Sequence, residues 1–189
     1  MTDEQLSRLR DWLAGAAGDA GLRVVAARKL SGGAIQQNWA LDVETGGTAQ
    51  HWVLRTDSAA TLAVSLPRTA EYALLRAAWD AGVTVPEPLF LCEDAAVVGA
   101  PFFVMRRVAG TALGPRVVKD ATLGGGRERL AEALGRELAR IHRIRPPRAD
   151  LHFLGEPPAD AGRAAIATMR ARLDAAGTPR PVIEWGLRA

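Results

Sequence analysis

The sequence predicts an α+β chain: an antiparallel sheet of five strands carrying two helices, followed by a run of helices. Three observations point there. Short apolar segments, of which Trp39 to Val43 alternates strictly, are separated by glycine turns in the first 110 residues. Two helical patterns interrupt those strands. After the triplet Gly124-Gly125-Gly126 the periodicity changes, and Leu130, Leu134, Leu138 and Ile141 recur at helical spacing.

Thr2-Asp3-Glu4-Gln5 has the spacing of a capping box, and Leu6, Leu9 and Leu13 then share one face. This predicts an opening helix to about Ala17, ended by Gly18 and Gly21. Leu22 to Leu30, with Val24-Val25, reads as a strand. Ser31-Gly32-Gly33-Ala34 then turns the chain into a second strand, Trp39 to Val43. Thr45-Gly46-Gly47-Thr48 is a hairpin turn whose return strand is His51 to Arg55. Thr56 to Leu66 is loop-like, and Pro67 suits the first turn of a helix reaching Ala81, where Gly82 ends it. Val85 to Cys92 and Pro101 to Val108 complete the strands around a turn at Ala95 to Gly99. From Ala109 to Gly126 the texture changes, and the glycine triplet at its end reads as a connector. The helix built on Leu130 to Ile141 stops before Pro146-Pro147, a second runs from Ala159 to Ala176 under Gly177, and Pro181 to Leu187 begins a third.

Composition excludes several classes. The chain has 189 residues, 48% of them hydrophobic and 24% charged, and no apolar run reaches the roughly 18 residues of a membrane span. The acidic, polar start Met1-Thr2-Asp3-Glu4-Gln5 is unlike a secretory signal, so a cytoplasmic protein without a membrane partner is expected. Cys92 is the sole cysteine and sits in an apolar strand, as a structural thiol would. His51, His142 and His152 lie too far apart for ligand spacing, so no protein-only zinc site is expected. The net charge is +3, and the arginines are interleaved with Asp and Glu rather than massed beside aromatics. No nucleic-acid partner is expected.

Glu71 is the first residue with chemistry to offer. Leu74, Leu75 and Ala78 follow it at three, four and seven residues and share its helix face, which would turn a carboxylate toward the core; for an isolated glutamate the other reading is a place in water at the helix margin. A buried carboxylate needs a cation, and Arg55, on the same strand face as Val53, is its natural partner. A glycine turn, a strand cation, a helix glutamate and an apolar strand running into a connector form the order of the small lobe in protein-kinase-like enzymes.

More specifically, the chain resembles the aminoglycoside phosphotransferase family of kinase-like small-molecule phosphotransferases. The resemblance is carried by Leu30 to Trp39, Trp52 to Asp57, Glu71 to Leu75, Val83 to Pro88, Gly99 to Met105 and Leu138 to His142. It implies a protein-kinase-like small lobe over residues 1–109 and, over residues 110–189, a linker and the first helices of an incomplete large lobe. It implies ATP with Mg2+ as cofactors and transfer of a phosphoryl group to a hydroxyl of a small molecule. Ser31, Gly32 and Gly33 would bring backbone N–H groups to the phosphates, and Arg55 would contact them while pairing with Glu71. Met105 would border the adenine, and the backbone of Arg106 and Val108 would hydrogen-bond its edge.

The chain departs from the wider kinase pattern in two ways. The strand cation is arginine rather than lysine, permanently charged and able to bind through two nitrogens. The second departure is larger. The family's H-G-D-x-x-x-x-N loop, whose aspartate accepts the hydroxyl proton and whose asparagine helps hold magnesium, is not found: Asn38 is the only asparagine, and it lies in the small lobe. His152-Phe153-Leu154-Gly155 has no aspartate in register, and His142 on its apolar helix is read as a packed or capping residue. The expectation is therefore a portion of an enzyme, inactive alone, with its metal ligands elsewhere. The alternatives are a non-catalytic nucleotide-binding or scaffold module, and a phosphotransferase completed by a partner chain on the helices after Leu130. The acceptor and the oligomeric state are not legible.

Overall fold

A computed structural model describes residues 1–30, 36–57, 65–111 and 113–187. It divides into two compact units, Met1–Arg145 and Pro146–Ala189.

The first unit is built on a five-stranded antiparallel sheet in the order β1-β2-β3-β5-β4, with β1 Arg23–Lys29, β2 Gln36–Thr45, β3 Thr48–Asp57, β4 Pro88–Cys92 and β5 Phe102–Arg106. Helix α1, Asp3–Ala17, opens on the Thr2/Gln5 capping box and closes on Gly18 at φ 65°, a left-handed conformation that glycine adopts without a Cβ clash. Alternation along the central strands divides the side chains between two faces. Leu41, Val43, Trp52, Leu54, Phe102 and Val104 join Leu9 and Leu13 of α1 in the core. Trp12 meets Phe102 edge-on at 5.0 Å and Phe90 at 6.4 Å, fixing α1 on the sheet through ring geometry as well as burial.

The opposite face receives α2, Arg68–Asp80, on Phe103 and Met105. Tyr72 of this helix lies 5.9 Å from the ring of Phe103. Several boundaries differ from those the apolar pattern predicts. β2 and β3 run beyond their apolar cores because Gln36, Gln37 and Asn38 still pair with Asp57, Thr56 and Arg55, and a backbone ladder needs no apolar side chain. β4 starts at Pro88 rather than Val85: Pro86 lacks the N–H a ladder uses, whereas a proline is tolerated at the first position of a strand. β5 ends at Arg106, two residues before Val108. Pro67 is the N-cap of α2, not its first helical residue.

A short helix, α3 Gly114–Lys119, forms in a segment for which the sequence predicts no element. Gly124 and Gly125 lie in a 3-10 turn, Leu123–Gly125, and Gly126 is the N-cap of α4, Arg127–Ile141. Gly124 needs its φ of +66° there, and a Cβ at that position would stand 2.9 Å from Leu130 Cδ1. The apolar stripe of α4 is exposed: Leu134, Leu138 and Ile141 keep 61%, 52% and 46% of their surface. His142 is the C-cap of this helix. In the second unit a 3-10 segment, Ala149–Leu154, precedes α5, Ala161–Ala176, and α6, Pro181–Gly186, which are joined by an Arg170–Glu184 ion pair of 2.9 Å. No helix among the described residues is long and apolar enough to cross a membrane.

Candidate functional site

Register places the site. Arg55 stands opposite Asn38 of β2 on one side and Phe103 of β5 on the other, so its side chain leaves the sheet on the α2 face, between Val53 and Asp57. Glu71 lies one turn into α2 on that same side. Arg55 Nη2 and Glu71 Oε1 are 2.7 Å apart, with both side chains about a quarter exposed. Arg55 Nη1 also donates to Asn38 Oδ1 at 3.4 Å, and Nη2 donates to Gln36 Oε1. The strand cation is thus tied to one neighbour in β2 by each terminal nitrogen.

Glu71 has a second partner that sequence reasoning missed. Its Oε2 accepts from Arg68 Nη1, and Arg68 Nη2 donates to Leu66 O at 2.8 Å. Arg68 retains only 2% of its surface. Arg68 Nε lies 3.0 Å from Asp57 Oδ1, aligned as an ion pair rather than as a hydrogen bond. A guanidinium out of water must be neutralised, and at the first residue of a helix it also opposes the positive end of the helix dipole. Asp57 and Glu71 together meet both costs. The missed signal was spacing: Arg68, Glu71 and Leu75 stand at i, i+3 and i+7 on the face that meets the sheet.

Beside the pair lies a cavity of about 310 Å³ lined by Arg55, Glu71, Leu74, Leu75, Ala78, Phe103 and Met105. One end is charged and the rest is apolar, the distribution suited to a ligand with an anionic tail and a flat apolar body. Arg55 Nε is itself buried with no hydrogen-bond partner, a donor left over after the contacts to Glu71, Gln36 and Asn38.

The other expected contacts distribute as follows. Met105 lines the cavity. Arg106 is exposed, and its N–H donates to Glu87 O at 2.8 Å, which leaves only its carbonyl for a ligand edge. Its side chain turns to Glu87 and Gln50. Val108 is 62% exposed past the end of β5. Ser31, Gly32 and Gly33 lie outside the described residues. Among the described residues no group of three or more His, Cys, Asp or Glu side chains could hold a metal ion.

Comparison with known proteins places the chain in a family. The model of the phosphotransferase enzyme family matches residues 26–189. A chicken protein named acyl-CoA dehydrogenase family member 11 is 34% identical over 153 residues, covering 79% of this chain and 18% of that protein. Mouse acyl-CoA dehydrogenase family member 10 is 36% identical over 78 residues, 39% of this chain and 7% of the relative. Among solved structures, a Ralstonia eutropha protein provisionally named an aminoglycoside phosphotransferase superposes with a TM-score of 0.64 at 23% identity, over 92% of this chain and 48% of that one. The chain therefore spans less than a fifth of these curated relatives and about half of the solved structure.

Proposed function

The chain belongs to the phosphotransferase enzyme family, and we propose that it carries the ATP-binding lobe of a kinase acting on a hydroxyl of a small molecule. The observation that supports this reading best is the Arg55–Glu71 pair at the charged end of an apolar cavity, with Arg55 Nε buried and unpartnered. A donor in that state fits a phosphate oxygen.

Bound Mg-ATP would supply the phosphoryl group that is transferred. Arg55 contacts the phosphates, Glu71 fixes the direction of its guanidinium, and Leu74, Leu75, Phe103 and Met105 shield the base from water. On this reading Val108 and the Arg106 carbonyl serve the adenine edge, and Ser31, Gly32 and Gly33 serve the phosphates. Residues 1–109 act as the nucleotide lobe, and residues 110–189 as linker and partial helical lobe. No residue of this chain is assigned to magnesium or to proton abstraction, and none is named catalytic. The family name does not make an antibiotic the acceptor, because function resides in the site and not in the fold.

Calorimetric titration of the chain with Mg-ATP, alongside Arg55→Met and Glu71→Gln, tests the reading. Saturable binding that both substitutions weaken by about tenfold or more supports it. No saturable binding would overturn it in favour of a scaffold role, and ATP hydrolysis that survives both substitutions would overturn the roles given to Arg55 and Glu71.

A further inference from the structure

Glu71 divides its carboxylate. Oε1 faces Arg55 and Oε2 faces Arg68, so the glutamate meets Arg55 through a single oxygen. A carboxylate with both oxygens free grips a guanidinium through two parallel N–H groups, the stronger arrangement. Such a grip on Arg55 would take up a second nitrogen, and Nε is the one without a partner. Arg68 competes with this by pairing with the second oxygen. It is held for the task, because Leu66 O accepts from one of its nitrogens and Asp57 stands beside another.

The charges lead to the same place. Arg55 and Arg68 bring two positive charges, Asp57 and Glu71 two negative ones, and Asp57 pairs with Arg68 rather than with Arg55. Glu71 is therefore shared, and Arg55 is only partly neutralised. Without Arg68 the glutamate would serve Arg55 alone and cancel the charge that an anionic ligand needs.

We propose that Arg68 is a positioning residue for the nucleotide site: it pins the second oxygen of Glu71 so that Arg55 is oriented by one contact and keeps Nε–H for a phosphate. This rests on the ATP-binding reading above. Arg68 acts through Glu71, and its effect must vanish when Glu71 can no longer carry it. A purely structural arginine would cost the same in either background.

The experiment compares the full chain with Arg68→Met, Glu71→Gln and the double variant. Mg-ATP affinity is measured by calorimetry, and the Arg55 Nε–H resonance and its solvent exchange by NMR. Arg68→Met is expected to weaken Mg-ATP about tenfold and to shift the Arg55 Nε–H signal, while adding it to Glu71→Gln changes neither. Arg68→Lys keeps the charge but not the fork, and is expected to fall between wild type and Arg68→Met. If Arg68→Met does not fold, Arg68→Lys in both Glu71 backgrounds decides the same question. A folded Arg68 variant with unchanged affinity and an unchanged Arg55 signal, or equal losses in both backgrounds, would overturn the proposal. If the wild-type chain binds no ATP, the nucleotide reading falls, and the Arg55 signal across the same proteins still decides whether Arg68 sets its environment.

Discussion

Asn38 and Arg55 face each other across β2 and β3, and Arg55 Nη1 donates to Asn38 Oδ1 at 3.4 Å. The only asparagine of the chain is therefore committed to holding the strand cation. An arginine can serve Asn38, Gln36 and Glu71 at once because its nitrogens are spread over a rigid plane. A lysine ammonium keeps the charge but has no such spread. Arg55→Lys is expected to retain part of the Mg-ATP binding that Arg55→Met loses, and to lower the thermal midpoint by a few degrees, about 1 kcal/mol for the lost contacts. Equal losses for Lys and Met, read by calorimetry and thermal unfolding, would show that charge alone contributes nothing at this position.

Helix α4 is tied to the loop after α2 through one carboxylate. Glu137 accepts from the Thr84 N–H at 2.9 Å and from the Thr84 hydroxyl at 2.7 Å. The backbone hydrogen bond, then the hydroxyl, hold its carboxyl below the ordinary value of 4.5. A depressed folded pKa means that the contribution to stability is fully present above the unfolded value and is lost as pH falls through the folded one. Urea midpoints of wild type and Glu137→Gln should therefore differ by a constant amount near neutrality, and the gap should narrow as the pH drops below about 4.5. A gap that stays constant into strong acid would mean that the charged carboxylate is not what Thr84 holds.

How much of this was legible follows from what each signal depends on. Helix α1, the sheet and α2 are written in local periodicity, and so is the face shared by Glu71, Leu74, Leu75 and Ala78. Strand alternation and the cost of an unpaired carboxylate suggested the pairing of Arg55 with Glu71, but an isolated glutamate reads more readily as solvated, and the order of glycine turn, strand cation, helix glutamate and apolar strand decided for the pair. Arg68 was hidden because an arginine three residues before a glutamate at a helix start reads as a solvated surface pair. Its burial depends on where the end of β3 places Asp57 beside α2, a tertiary fact. Helix α3 was missed behind Gly114-Pro115 in a glycine-rich segment. The stripe of α4 was read correctly as helical, but a period says only that a face is apolar, not that anything covers it.

That difference can be measured on two leucines. Leu54 is fully buried in the core beside α1, whereas Leu138 keeps 52% of its surface on α4. Leu54→Ala removes packed methyl groups and leaves a cavity, and is expected to cost about 2–5 kcal/mol. Leu138→Ala removes a side chain that is largely in water already, and is expected to cost less than about 1 kcal/mol. Urea unfolding of the isolated chain checks both. A large loss at Leu138 would show that the α4 stripe is buried in solution, as it would be by self-association.

Cys92 closes β4 with 2% of its surface exposed, in the cluster that holds Phe102 and Val104. Burial pushes its thiol above the ordinary value, outweighing the hydrogen bond to Asp94 O at 3.7 Å. Both effects suppress reaction, because the reagent cannot reach the sulfur and little of it is thiolate at neutral pH. A disulfide reagent should therefore label the native chain only as fast as β4 and β5 open. In urea above the unfolding midpoint, labelling should rise to the rate of a free thiol. The dependence on urea then reports how strongly this edge of the sheet is held, and a native chain that reacts at the free-thiol rate would place Cys92 outside the core.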